Sequence, residues 1–313
     1  MDRVKIFSFN FNFFYPIPLA ISLLILRRLL EKLCYEPVGV KLGIKQPIAL
    51  KKDTYSKKTA TISDWISTSH VYNLSKYLDF SSENFYRQKS MKTRKLEKFC
   101  KSCWNLAFYT YCVIHGLKIL WNKSWFWNIS ECWSDFPHQK ITNEIWLYYV
   151  INLAFYWSLL ITIVLGVRRK DFHENLVHHS VAILLIYISL TLNAFRIGTI
   201  ILVVLSFSDI FLESAKIAKY LNRLDICNIC FGLFTVAWIA SRLVVFPFWI
   251  LRHTLFEVPK PLSKSLGFYV LNSLLLSLSI LNIFWSVMIF RALCKALKQG
   301  ELEDSRSDSE DDS

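Results

Sequence analysis

The chain has 313 residues, of which 53% are hydrophobic, 16% aromatic and only 19% charged, with a mean hydropathy of +0.32. Soluble domains carry about 25% charged residues, so the composition argues against an ordinary soluble protein, and 8 Gly with 8 Pro exclude collagen-like and low-complexity classes. The formal net charge is nevertheless +13; in a hydrophobic chain that charge belongs in the loops, where it orients the spans.

A membrane span needs about 20 apolar residues. Seven stretches read as spans: 7–26, 104–121, 145–166, 178–195, 198–215, 227–250 and 267–290. The expected fold is therefore all-α, a polytopic membrane bundle of about seven helices. The first stretch holds Pro16 and Pro18 and lacks a small-residue cleavage site, so it reads as a signal anchor, with residues 1–39 as N-terminus and first span. Residues 40–102 form a basic polar segment. Between 51 and 102 it carries 12 Lys/Arg against 5 Asp/Glu, interleaved with Trp65, Tyr72, Tyr77, Phe80, Phe85 and Tyr86. Such a segment suits a cytosolic linker held against anionic headgroups, each nearby Lys or Arg contributing about 1 kcal/mol. Residues 103–295 hold the other six spans. Residues 296–313 end in an acidic, serine-rich tail expected to be disordered. There Ser307 and Ser309 lie among carboxylates and are candidate phosphorylation sites.

Basic clusters follow alternate spans: Arg27, Arg28 and Lys32; Arg168, Arg169 and Lys170; Lys216, Lys219 and Arg223; Arg291, Lys295 and Lys298. The intervening loops are sparser, with Lys123 and Lys140 in one and Arg252, Lys260 and Lys264 in another. The positive-inside rule then places the N-terminus in the lumen and the C-terminus in the cytosol. The sequons at Asn122 and Asn128 fall on the luminal side and are glycosylation candidates; a third, at Asn73, falls on the cytosolic side. Two C-x-x-C pairs, Cys100/Cys103 and Cys227/Cys230, read as helix packing residues rather than a metal site.

Ionisable residues inside spans are costly and mark functional sites. The fourth span opens with His178-His179. In the fifth, Ser206, Asp209, Glu213 and Lys216 stand at offsets 0, 3, 7 and 10, one face of a helix. With a turn near Phe195, His178 and Asp209 lie about 25 and 21 Å from it at 1.5 Å per residue, so antiparallel neighbours bring them to similar depth near the cytosolic face. Three chemistries use such a constellation, beside a purely structural pair capping helix ends. Metal binding fails on count, since membrane di-iron oxidases need more than the seven scattered histidines here. A proton relay and an acyl transfer, with histidine as nucleophile or base and Asp209 orienting the ring, both remain.

At this point the residues are familiar. Val167-Arg-Arg-Lys-Asp-Phe172, His178-His179, Arg196-Ile-Gly-Thr199, Ser208-Asp209 and Leu212-Glu-Ser-Ala-Lys216 resemble the Lag motif of ceramide synthases. The wider likeness is to the TLC domain, from about Lys98 to Arg291. It takes in Phe155–Leu160, Arg242-Leu-Val-Val-Phe-Pro-Phe-Trp-Ile-Leu251 and Asn282-Ile-Phe-Trp285. The resemblance implies a multi-pass enzyme of the endoplasmic reticulum membrane. Its activity would be transfer of a fatty acyl group from acyl-CoA to a sphingoid base, giving (dihydro)ceramide. Acyl-CoA would be a co-substrate, with no bound cofactor and no metal. His178, His179 and Asp209 would be the catalytic centre, with Arg168, Lys170, Asp171, Arg196, Ser206, Glu213 and Lys216 as supporting motif residues. Membrane lipids and other ceramide synthases, as homo- or hetero-oligomers, are the implied partners.

Two departures from the family pattern stand out. Leu205-Ser206 occupies the place of the family's His-Asp pair, and Ala182 that of a Thr. These motivate an alternative, a catalytically impaired paralogue that regulates active synthases. Residues 40–100 occupy the place of the homeodomain-like insert of several family members. Asn84–Lys89 resembles only faintly its last helix, so nucleic-acid binding is not expected.

Overall fold

The computed structural model describes residues 16–44, 95–165, 172–257 and 265–299. The basic segment between 45 and 94, the motif residues Arg168, Lys170 and Asp171, the Asn73 sequon, and Ser307 and Ser309 lie outside the described residues. Among those described there is no strand, and seven long helices carry the fold. Helix α1 runs from Ile17 through Leu30, widens into a π-helical turn at Glu31–Tyr35 and continues as Glu36–Lys41. Helix α2 covers residues 95–120. Then come α3 (Asn143–Leu165), α4 (Phe172–Thr191), α5 (Phe195–Tyr220), α6 (Leu224–Phe256) and α7 (Leu266–Gln299).

Among the described residues, helices α3 to α7 are the five long and apolar enough to cross a membrane. The chain is thus an all-α polytopic membrane protein. The expected span at 104–121 falls on α2 and the described part of that at 7–26 on α1, neither of which is among those five. Arg27 and Arg28, read from sequence as the loop after the first span, are instead helical. Arg27 Nε donates to Glu31 Oε1 at 2.7 Å and Arg28 Nη1 to Glu31 Oε2 at 3.2 Å, and Arg27 and Glu31 are both buried. The i,i+4 spacing lets the charges neutralise each other without leaving the helix.

The helices close into a ring. Helix α3 packs on α4, α4 on α7, α7 on α6 and α6 on α5. Helix α2 completes the circuit. Its Phe108 stacks on Phe155 of α3 at 3.5 Å, and its Asn105 reaches Glu213 of α5. Helix α1 lies outside the ring against α3. Within the ring, close approach is set by glycine: a Cβ on Gly116 of α2 would stand 2.3 Å from Val203 of α5, and one on Gly198 of α5 would overlap the Tyr149 hydroxyl.

Helix ends are fixed by local chemistry. Asn193 and Asn222 adopt φ of 58° and 57° directly after α4 and α5. In both turns the following amide reaches back five residues, Ala194 N to Ser189 O and Arg223 N to Ala218 O, as in a Schellman cap. Asn193 does more. Its Nδ2 donates to Pro137 O and Gln139 O, clamping the 122–142 connection onto the α4–α5 turn. Arg196 adds Nη1 bonds to Glu131 O at 3.0 Å and Ser134 O at 3.2 Å. In α6 the backbone widens to a π-helix over Ile239–Leu251, with Pro247 inside it. Proline has no N–H and clashes with the carbonyl four residues back, and π segments recur at functional sites.

The clamp yields a test. Asn193→Gly keeps the left-handed backbone but loses both side-chain bonds, at about 0.5–1.5 kcal/mol each. Asn193→Ala adds backbone strain to that loss. Thermal melting of the detergent-solubilised protein should therefore rank parent above Asn193→Gly above Asn193→Ala; equal melting of all three would remove the clamp's role.

Candidate active site

The ring holds a partly open cavity. At one end lie His178, Arg242, Leu205 and Tyr156; at the other lie Ser189, Gly198, Thr254 and Leu271. Along α4 the lining runs from His178 through Ala182, Leu185 and Ile186 to Ser189. Eleven residues of helix span about 16 Å. The walls between these ends are almost entirely aliphatic, supplied by α4, α5 and α7. Such a slot accepts an extended hydrocarbon chain, each buried CH₂ contributing about 0.8 kcal/mol.

The two histidines are deeper in their helix than the sequence suggests. Helix α4 begins at Phe172, so they stand two turns in rather than at its start. The His178 ring meets the Trp285 ring of α7 edge-on at 4.9 Å and its neighbour His179 at 5.2 Å. His179 turns toward Tyr156 of α3, 6.0 Å between centroids. Only His178 lines the cavity. Nδ1 of each imidazole is buried without a hydrogen-bond partner among the described residues. Buried polar atoms are nearly always satisfied, and exceptions mark catalytic sites or missing ligands.

Asp209 is placed differently from the sequence expectation. Both its carboxylate oxygens accept from Arg242 Nη2, at 3.0 and 2.8 Å. Arg242 is one helix later, in the π segment of α6, and is buried. Its Nη2 also donates to Leu205 O at 2.8 Å, its Nε to Ser208 Oγ at 3.2 Å, and its Nη1 to Asn282 Oδ1 of α7 at 3.3 Å. The guanidinium lies 4.5 Å over the Trp238 ring, a cation–π contact. Trp238 Nε1 in turn donates to Ser286 Oγ at 2.8 Å. Asp209 therefore orients a cation, and that cation, rather than the carboxylate, lines the cavity with His178.

The other stripe residues point to other partners. Glu213 is buried, accepts from Lys216 Nζ at 2.9 Å and from Asn105 Nδ2 at 3.4 Å, and keeps Oε2 unpartnered. Ser206 Oγ donates to Cys112 Sγ of α2 at 3.3 Å. That thiol also meets Tyr148 Oη at 3.0 Å and donates to Asn152 Oδ1 at 3.2 Å, both on α3. The place of the family's Asp is thus filled by a closed knot of neutral groups. The place of the family's His, Leu205, is cavity wall, as is Ala182. Arg196 is not brought to this centre: it stands at the opposite end of α5, about 20 Å from Asp209 along the helix, tied to the 129–134 backbone.

The sequence reading named no role for Arg242, Asn282, Trp238 or Trp285, although the first two and Trp285 lie in the segments that carried the resemblance. A signal was available in a lone Arg inside an apolar run, because a buried cation requires an anion. The sequons Asn122 and Asn128 are both exposed on the connection between α2 and α3. The Asn128 carboxamide caps the Ile129–Trp133 turn by accepting from Ser130 N. All eight cysteines are free thiols.

The neutral knot gives a second test. Ser206→Asp places a carboxylate against Cys112, Tyr148 and Asn152 with no cation among its contacts. Stranding a buried charge costs about 3–5 kcal/mol. The variant should lose folded protein on size-exclusion chromatography and melt well below the parent; melting at the parental temperature would show that the knot accommodates charge.

Comparison with known proteins shows the family. The TLC domain family model matches residues 98–291. Ceramide synthase 5 of Mus musculus is 35% identical over 93% of this chain and 73% of its own length. Ceramide synthase 3 of Homo sapiens is 33% identical over 93% of this chain and 78% of its own. Ceramide synthase hyl-1 of Caenorhabditis elegans is 34% identical over 69% of this chain and 62% of its own. With the family model matching most of the chain and this extent of identity, the chain belongs to the ceramide synthase family of TLC-domain proteins.

Proposed function

We infer that the protein is a sphingoid base N-acyltransferase, transferring a fatty acyl group from acyl-CoA to a long-chain amine to form (dihydro)ceramide. The observation that carries this reading is His178: a half-buried imidazole whose covered Nδ1 has no partner among the described residues, at the end of an aliphatic slot. An acyl chain in that slot presents its thioester carbonyl to the ring. A histidine nitrogen then takes the acyl group as CoA leaves, or takes the proton of the attacking amine. His178 is assigned this role because it lines the cavity. His179, turned to Tyr156, is assigned to support. Asp209 serves through Arg242, whose position it fixes. Lys216 neutralises Glu213 at the same end of α5.

The proposed setting is the endoplasmic reticulum membrane, with the N-terminus luminal and the C-terminus cytosolic. The basic clusters, the acyl-CoA phosphates and the histidine end of the cavity would then share the cytosolic side, and the exposed Asn122 and Asn128 the glycosylated side. Assembly with other family members, and phosphorylation of Ser307 and Ser309, belong to the same proposal.

One observation favours a second reading, a catalytically impaired regulatory paralogue. Leu205 and Ser206 offer neither an acid nor a base at positions where the family pattern has both. Membranes containing the protein, supplied with labelled sphinganine and acyl-CoAs of graded length, separate the two. The acyltransferase reading expects ceramide, reduced at least about 100-fold by His178→Ala. Ceramide no greater than in a His178→Ala, His179→Ala control would favour the regulatory reading.

The same panel tests the slot. Leu271 lines its far end, and Leu271→Trp should fill that end and shift the preferred acyl chain to shorter lengths. An unchanged preference would place the chain terminus elsewhere.

A further inference from the structure

We propose that Arg242 and Asn282 form the hydrogen-bond donor pair that holds the acyl carbonyl oxygen of the substrate while the acyl group is transferred. The proposal rests on the acyltransferase reading above and concerns how that site stabilises developing charge.

The donor inventory points to it. A guanidinium has five N–H groups. In Arg242, Nε serves Ser208, Nη2 serves Asp209 and Leu205 O, and one N–H of Nη1 serves Asn282. One Nη1 proton is left, on a side chain that lines the cavity beside His178. Asn282 is fully buried, and its Oδ1 is fixed as the acceptor of Arg242 Nη1, which orients the amide. Its Nδ2 is consequently a buried donor with no acceptor among the described residues. On α7, Leu278, Asn282 and Trp285 stand at offsets 0, 4 and 7, one helix face. Leu278 lines the cavity and Trp285 touches His178, so Asn282 stands on the same helix face between these two, covered just behind the cavity wall.

Two unmet donors on side chains already joined to each other are expensive to leave so, and the ligand that meets them must bring an acceptor. The substrate's acceptor in that region is the thioester oxygen. As a His178 nitrogen bonds to the carbonyl carbon, the C=O π pair moves to oxygen. The resulting oxyanion is held by Nη1–H of Arg242 and Nδ2–H of Asn282. It collapses as the C–S bond breaks and CoA leaves with the sulfur pair. The amine then attacks the same carbon, its proton passes to the departing imidazole nitrogen, and the same two donors hold the oxygen again. Preorganised donors in a water-poor site act on the transition state more than on the ground state.

Asn282→Asp tests this. The substitution keeps the shape and the acceptor toward Arg242, removes the amide donors and adds a carboxylate that Arg242 can pair. Ceramide formation should show kcat lowered about 100-fold with KM for acyl-CoA within about 3-fold of the parent, the usual cost of one such donor. Asn282→Thr, which restores a hydroxyl donor, should recover part of the loss. Parental kcat in Asn282→Asp, or a loss carried by KM, would overturn the proposal. Should Asn282→Asp aggregate on size-exclusion chromatography, Asn282→Leu is judged by the same criterion; aggregation of both would make Asn282 a packing residue and also overturn it. An inactive parent in the same assay instead removes the acyltransferase reading itself.

Discussion

The buried guanidinium of Arg242 is the constraint around which the bundle is organised. A cation inside a membrane bundle is tolerated only when most of its donors are met. Here they come from three helices: Asp209, Ser208 and the Leu205 carbonyl on α5, Trp238 on α6 itself, and Asn282 on α7. Removing any one partner leaves part of the charge unpaired, so the cation locks α5, α6 and α7 in one relative position. That lock fixes one end of the cavity. It also engages both carboxylate oxygens of Asp209.

The opposite end is held by different means. Asn193 and Arg196 tie the connection after α2 to the α4–α5 turn through backbone carbonyls alone. Between the two ends, contacts are aliphatic, with glycines at the tightest crossings. The cavity therefore has a polar, charge-ordered mouth and an apolar body. That division suits a substrate with a reactive head and a long inert chain. In the slot beside the mouth, Leu205 continues the apolar wall upward, while Ser206 turns away from it into the Cys112 knot. Neighbouring residues one position apart thus serve opposite environments, because consecutive helical side chains are about 100° apart.

How much was legible in the sequence varies by element. Helices α3 to α7 were evident, since long apolar runs admit few alternatives in lipid. The inward face of α5 was also evident: Ser206, Asp209 and Glu213 follow helical spacing and all turn away from lipid. Their partners were not. Periodicity says which residues share a face, but each of the three meets a different neighbour: Ser206 meets Cys112 of α2, Asp209 meets Arg242 of α6, and Glu213 meets Asn105 of α2. Arg27 and Arg28 were read as following the first span for a similar reason. Charged residues after an apolar run signal a loop, yet an i,i+4 pair can continue a helix by neutralising itself.

By itself, the sequence determined that this chain crosses a membrane as helices, which way its charges bias it, and which residues of the motif are ionisable. Those properties depend on composition and local periodicity, and both are one-dimensional. Tertiary structure alone decided that His178 rather than His179 faces the cavity, that Asp209 belongs to Arg242, and that Asn282 carries an unmet donor beside the reacting end. Each of these is a contact between helices distant in the chain. Their geometry follows from how seven helices close into a ring around one buried charge.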